Sequence, residues 1–280
     1  MTILSKVLSK VKTLIEYAKC GMGYSQVINN EENASIVFPK SVKSLYNWAC
    51  PNNVTSVESQ YITALPDKKF QDKYIKRAIF PKLETLPFSV FSRLKSQLEE
   101  VDFTSVTATK EGAFYQASMK GDLILPNLTS IQALSFWYFS IGTDNTFEAP
   151  KLENLGSNAL KGLLVSVIKL PNCHTLNGGS LNDCIGTRRV EVGTLKSMST
   201  TTFNDGMAAM EEFIVGEGTT SSIYVQSLEW LTQECLHNII DNYANMNGAT
   251  SPTFNMGSAN LEKVSDEYKA KAVSKNITLK

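Results

Sequence analysis

The segments AIFPKLETLPFSVF (residues 78–91), LILPNLTSIQALSF (123–136), FEAPKLENLGSNAL (147–160) and IKLPNCHTLNGGSL (168–181) are four versions of one phrase. Taking its third residue as an anchor, the phrase recurs at Phe80, Phe103, Leu125, Ala149, Leu170, Val192 and Val215, at intervals of 21 to 24 residues. An apolar side chain stands two residues before every anchor: Ala78, Val101, Leu123, Phe147, Ile168, Val190 and Phe213. Leu83, Val106, Leu128, Leu152, Cys173 and Leu195 follow the first six by three residues. Phe91, Phe114, Phe136, Leu160, Leu181 and Phe203 follow them by eleven. Self-similarity at a fixed period of this length marks a solenoid, in which each unit buries its core only against its neighbours. The expected class is α/β, a solenoid carrying a parallel sheet of stacked strands.

Each position has a physical reading. Side chains alternate along an extended segment, so the anchor and the residue two before it share the inner face. Proline after the anchor (Pro81, Pro126, Pro150, Pro171) ends the strand where its missing N–H is tolerated. A small residue precedes each large one at the eleventh place, as Val90, Ala113, Ser135, Ala159, Ser180 and Thr202, which suits a compact return laid across the coil. The residue between the two inward ones must face out. Ile79, Asp102, Ile124, Glu148, Lys169, Glu191 and Ile214 are therefore expected to form an exposed ladder of roughly 30 Å, a mixed strip for recognition or an ordinary solvated face. Phe136 is accounted for by the repeat; Trp137 and Tyr138 beside it exceed what one core position needs and are candidate interface anchors.

The flanks divide the chain into three parts. Residues 1–34 hold an amphipathic helix over 1–20, with Leu4, Val7, Leu8, Val11, Leu14, Ile15 and Ala18 on one face, followed by a linker. It either caps the solenoid or docks to a partner. Residues 35–225 form the repeats, the first ones degenerate, with Asp67–Arg77 a charged loop or short helix. Residues 226–280 read as an α/β cap: a helix over Ser227–Asn245, a strand at Thr253–Met256, a helix opened by Ser265-Asp266-Glu267 and a last strand over Asn276–Leu279. Such a cap covers the final coil's edge.

Composition narrows function by exclusion. The 27 acidic and 27 basic residues cancel, so no global field points to nucleic acid or an anionic membrane. No apolar run approaches a membrane span, and lysines interrupt the N-terminal apolar residues, so a conventional signal peptide is not expected. Five scattered cysteines without CxxC spacing read as buried thiols, although Cys173 and Cys184 share one repeat and leave room for a single bridge. Cys173 and His174 with Cys184 could be drawn as metal ligands, but Cys173 occupies a core position. His237 is placed on a solvated helix face. No catalytic, cofactor-binding or metal residues are assigned. Glu148 and Glu191 lie two coils apart with Lys169 between them, which disfavours a carbohydrate-active enzyme.

IVFPKSVKSL, AIFPKLETL, LILPNLTSI, FEAPKLENL and IKLPNCHTL, with Gly112 to Phe114 as GAF, resemble the BspA-like leucine-rich repeats of bacterial surface and phage-encoded proteins. The stretch after Leu231 looks like the C-terminal module that often follows such repeats. Thr104 and Gly193 depart from the pattern by replacing the proline, as does Thr109 where leucine is usual. The resemblance implies a leucine-rich-repeat solenoid and a non-enzymatic binding or assembly role without cofactors. The expected setting is a phage virion, as a fibre, decoration or tail component that contacts the host. The alternative is a bacterial cell-surface adhesin. Partners would be other virion or surface proteins, or a host-surface protein or glycan, within an oligomer or larger assembly.

Overall fold

A computed structural model of the chain describes residues 34–280 apart from 39, 41, 43, 47, 204 and 205. The expected helix over 1–20 lies outside the described residues. From Ala34 onward the described chain winds as a series of stacked coils, each contributing one strand to a first face. Numbered in chain order, these are β1 (Ala34–Val37), β2 (Val54–Glu58), β3 (Arg77–Ile79), β5 (Glu100–Asp102), β7 (Leu123–Ile124), β9 (Ser140–Glu148), β11 (Leu164–Leu170), β13 (Arg189–Val192) and β15 (Glu212–Ile214). All pair in parallel, and the inward residues read from the sequence are buried, with Val101 only partly so. The sheet is not continuous: β1-β2-β3-β5 and β7-β9-β11-β13-β15 are separate. Across the split the coils are joined by the isolated bridge between Leu98 and Met119, with the Leu98 N–H donating to the Ser118 carbonyl (2.8 Å). Within its own coil Asp102 accepts the N–H of Thr104 (3.1 Å) and its hydroxyl. The Asp102 contact also explains how Thr104 replaces a proline. At the other departure, Gly193 donates its N–H to the Cys173 carbonyl, and a Cβ there would meet the Pro171 carbonyl at 2.7 Å.

A second face escaped the sequence reading. Two-residue strands β4 (Thr85–Leu86), β6 (Ala108–Thr109), β8 (Ser130–Ile131), β10 (Asn154–Leu155), β12 (Thr175–Leu176) and β14 (Ser197–Met198) stack in parallel, five and six residues after each anchor. Leu86, Ile131, Leu155, Leu176 and Met198 close the core from that side. Two residues are too few to show alternation. Thr109, the polar exception, donates its hydroxyl to Ser135 (2.9 Å), so no polar atom there is left unmet.

The return segments carry the third ladder. Phe70, Phe91, Phe114 and Phe136 stack ring on ring, with centroids 5.4, 5.5 and 5.2 Å apart and interplanar angles of 14°, 18° and 17°. Each of these N–H groups donates to the small residue that precedes the next large one: Phe70 to Val90 (2.9 Å), Phe91 to Ala113 (2.9 Å), Phe114 to Ser135 (2.8 Å), Phe136 to Ala159 (3.2 Å). Left-handed backbone recurs nine and thirteen residues after the anchors, at Ser89, Leu134 and Asn158 and at Arg93, Gln116, Tyr138 and Asp183. Such a conformation costs a non-glycine residue about 1 kcal/mol or more. It persists because those N–H groups bond the next coil, as Arg93 to Tyr115 (2.7 Å) and Tyr138 to Lys161 (3.0 Å). Phe70 places residues 54–79 among the full coils, so the charged stretch Asp67–Arg77 is a return segment rather than a helix.

The cap is built against the last coil. Helix α1 (Gln233–Asn242) starts six residues later than its apolar pattern suggested, because Thr232 is the N-cap and accepts the Cys235 N–H at 3.1 Å. It closes the edge of β15. The Cys235 thiol accepts from the Phe213 N–H (3.2 Å) and donates to its carbonyl (3.4 Å), and the Asn242 amide donates to the Val215 carbonyl (2.8 Å). An open edge of this kind would otherwise template association. Lys275 in turn donates to the carbonyls of Ile240, Asp241 and Tyr243 at 3.2, 2.7 and 2.7 Å, where the α1 dipole is negative. Beyond α1 lie β16 (Ile223–Tyr224), β17 (Thr253–Asn255), α2 (Ser258–Lys263), α3 (Asp266–Ser274) and β18 (Thr278–Leu279), with the three strands forming one parallel sheet. Ser265 caps α3 as expected. Helix α2 was not foreseen. His237 is half-buried rather than solvated: its ring stacks on Tyr268 at 3.7 Å and its Nε2 accepts the Ser265 N–H.

Cys50, Cys173, Cys184 and Cys235 are buried free thiols, so no bridge joins Cys173 to Cys184. Burial pushes Cys173 and Cys235 up to about 11 and Cys50 and Cys184 up to about 12. A thiol reagent at pH 8 should therefore modify none of the four in the native protein and all of them in denaturant. Between pH 9 and 11 the unfolded chain binds fewer protons than the native one, so stability falls as pH rises, by about 1.4 kcal/mol per pH unit for each thiol. Urea midpoints at pH 8 and 10.5 measure this. Lys275→Met and Asn242→Leu, which strand buried carbonyls, should each lower unfolding free energy by about 1–3 kcal/mol. Asn242→Leu should also add concentration-dependent association in light scattering.

Candidate interaction surface

The outward residues of the first face do align. Ile124 lies opposite Glu148, Glu148 opposite Lys169, Lys169 opposite Glu191 and Glu191 opposite Ile214. A second strip runs Val37, Glu58, Ile79, Asp102. Two corrections follow. The seven residues form no single ladder, because Asp102 and Ile124 belong to different sheets. Ile79 is not an exposed rung: it is 6% exposed although it lies outside the main core cluster. Arg77, the next outward residue on its strand, bridges Glu58 (2.6 Å) and Glu100 (2.7 Å) beside it. That guanidinium holds the Glu58 carboxyl below the usual carboxylate range. Val37, 64% exposed, and Glu58 extend the strip and were missed. Their signal is the IVF of the first degenerate repeat, whose central residue faces out by the same alternation.

Ile124 is 53% exposed and the most open apolar residue of the strip from Ile124 to Ile214. Glu148, Lys169, Glu191 and Ile214 around it are partly exposed. Arg189 reaches Glu212 (2.9 Å) and Glu191 (3.4 Å), repeating the Arg77 arrangement. Carboxylates therefore dominate this face: Glu58, Glu100, Asp102, Glu148, Glu191 and Glu212 stand against Arg77, Lys169 and Arg189.

Of the two candidate aromatic anchors, Tyr138 is at the surface and Trp137 is not. Trp137 is half-buried between Tyr115 (centroids 5.2 Å apart) and Tyr138 (5.6 Å). Tyr138 is 48% exposed, and its ring lies across Gly162, where a Cβ would sit 2.4 Å from Cδ1. One further surface feature was missed. The pairing of β9 with β11 shifts register between Ser140 and Thr146, raising Thr143 and Asp144 as an exposed bulge. The 24-residue interval from Leu125 to Ala149, the longest of the series, was its trace in the sequence.

Among the described residues no group of three His, Cys, Asp or Glu side chains comes together to hold a metal. The Cys173 thiol is turned into the core, donating to the Thr175 carbonyl, while the His174 ring stands beside Glu153 (3.7 Å) at the surface. No described helix is long and apolar enough to cross a membrane.

The chain matches the BspA-type leucine-rich-repeat region over residues 24–142 and 107–231. No curated protein and no solved structure matches it. Stacked parallel strands, one per coil, and a family match that spans well over half the sequence lead to one assignment: this chain is a member of the BspA-type leucine-rich-repeat family.

Proposed function

We propose that this protein is a recognition module of the bacterial cell-surface adhesin type, engaging its partner with the outward strip Ile124–Glu148–Lys169–Glu191–Ile214. The observation that carries the reading is the register: five coils present one residue each, in line, on strands paired in parallel from β7 to β15. A surface held this way loses little conformational freedom on binding, which favours affinity from few contacts. Ile124 and Ile214 supply apolar ends, and the charges between them set which partner is accepted. The excess of carboxylates suits a partner with a basic or neutral face. Family membership supports the surface setting, and nothing in the repeats or the cap favours a virion component over it.

The test is adhesion. Fluorescently labelled protein would be incubated with cultured epithelial cells, with Ile124→Lys and Lys169→Glu variants in parallel. Both should bind at least tenfold more weakly while keeping wild-type melting temperatures. Undiminished binding by both variants would remove the strip from the interface.

A further inference from the structure

We propose that Tyr138 is the stacking platform of a carbohydrate site on the return face, separate from the outward strip. The proposal rests on the reading of the protein as a surface recognition module and names a ligand class for it. Backbone hydrogen bonds between coils set Gln116, Tyr138, Gly162 and Asp183 side by side, one per coil: Gln116 donates to the Trp137 carbonyl (2.9 Å), Tyr138 to Lys161 (3.0 Å) and Gly162 to Asn182 (2.7 Å). All four have left-handed backbone, so their side chains leave the turn in the same way. Successive coils are about 4.8 Å apart.

The ring is both exposed and immobilised. Trp137 supports it from one side at 5.6 Å, and Tyr115 supports Trp137 in turn at 5.2 Å. Gly162 leaves the space that the ring occupies, and any larger residue would displace it. Tyr138 is the most exposed member of this aromatic group, yet the rungs on either side of it are polar or bare. Gln116 is exposed, Gly162 offers no side chain, and Lys161 pairs with Asp183 at 3.7 Å.

A sugar needs the arrangement seen here. A pyranose offers a patch of C–H groups that stacks on an aromatic ring, while its hydroxyls project sideways in the ring plane. Those hydroxyls require donors and acceptors about one coil away from the platform. Gln116 supplies both one coil away on one side; on the other, Lys161 stands one coil away and Asp183, paired with it at 3.7 Å, two coils away. The surface is open rather than a pocket, so it suits an internal unit of an extended chain as well as a terminal sugar.

Immobilised gluco-, manno-, galacto- and N-acetylglucosamine oligosaccharides are the probe, with binding measured on the full chain. Wild type should bind at least one of them. Tyr138→Ala should bind it at least tenfold more weakly, Tyr138→Phe within twofold, and Gln116→Ala and Asp183→Asn several-fold more weakly, all with unchanged melting temperature. Ile124→Lys should leave sugar binding intact, so that loss of the outward strip and loss of this site are read separately. No binding by wild type to any of the oligosaccharides, or equal binding by Tyr138→Ala, overturns the proposal. So does loss of cell adhesion in Tyr138→Ala without any sugar bound, which would make the ring a protein contact.

Discussion

Hydrogen bonds that run from each coil to the next hold every other feature of this protein in place. On two faces they are ordinary parallel strand pairings; on the third they join the return segments, as Phe91 to Ala113 and, from a left-handed residue, Arg93 to Tyr115. The stacked rings of Phe70, Phe91, Phe114 and Phe136 fill the space those bonds enclose. A solenoid has no long-range core, so stability passes between nearest neighbours and depends on each layer matching the next. That dependence explains the tolerance of left-handed Ser89, Leu134 and Asn158: the ladder they complete outweighs their local strain.

The same constraint produces function. Once coils are fixed about 4.8 Å apart, any outward position repeated along the chain becomes a straight row on a rigid surface. Composition of the row is free, because its side chains contribute little to packing. The first face can therefore hold Ile124, Glu148, Lys169, Glu191 and Ile214 in line, and the return can hold Gln116, Tyr138 and Asp183. Unlike an enzyme cleft, such rows bring no two titratable groups into a shared enclosed site. The ends need separate treatment, and at the C-terminal end Cys235 and Asn242 occupy the strand edge while Lys275 satisfies the helix that carries them.

Much of this could be read from the residues, and what could not has physical causes. Core positions at the anchor, two before it, three after it and eleven after it were legible because burial demands apolar side chains at each. The strands β4 to β14 of the second face were not, since a two-residue element has no periodicity and only its inward member is constrained. Ile79 shows the limit of alternation: the pattern assigned it outward, yet it is only 6% exposed. Tyr138 stood out as surplus to the repeat, yet its bed on Gly162 depends on the next coil, 24 residues away. The break between Asp102 and Ile124 left no trace beyond the missing proline at Thr104.

The register of the coils is open to direct measurement by paired cysteines at outward positions, in a chain whose Cys20 is replaced by serine. Facing residues on parallel strands lie within disulfide reach, and a shift by one coil or two residues takes them beyond it. Glu148→Cys with Lys169→Cys should cross-link rapidly under mild oxidation, whereas Glu148→Cys with Val167→Cys and Glu148→Cys with Glu191→Cys should not. Equal cross-linking of all three pairs, or none by the first, would contradict the stacked register on which both surfaces depend.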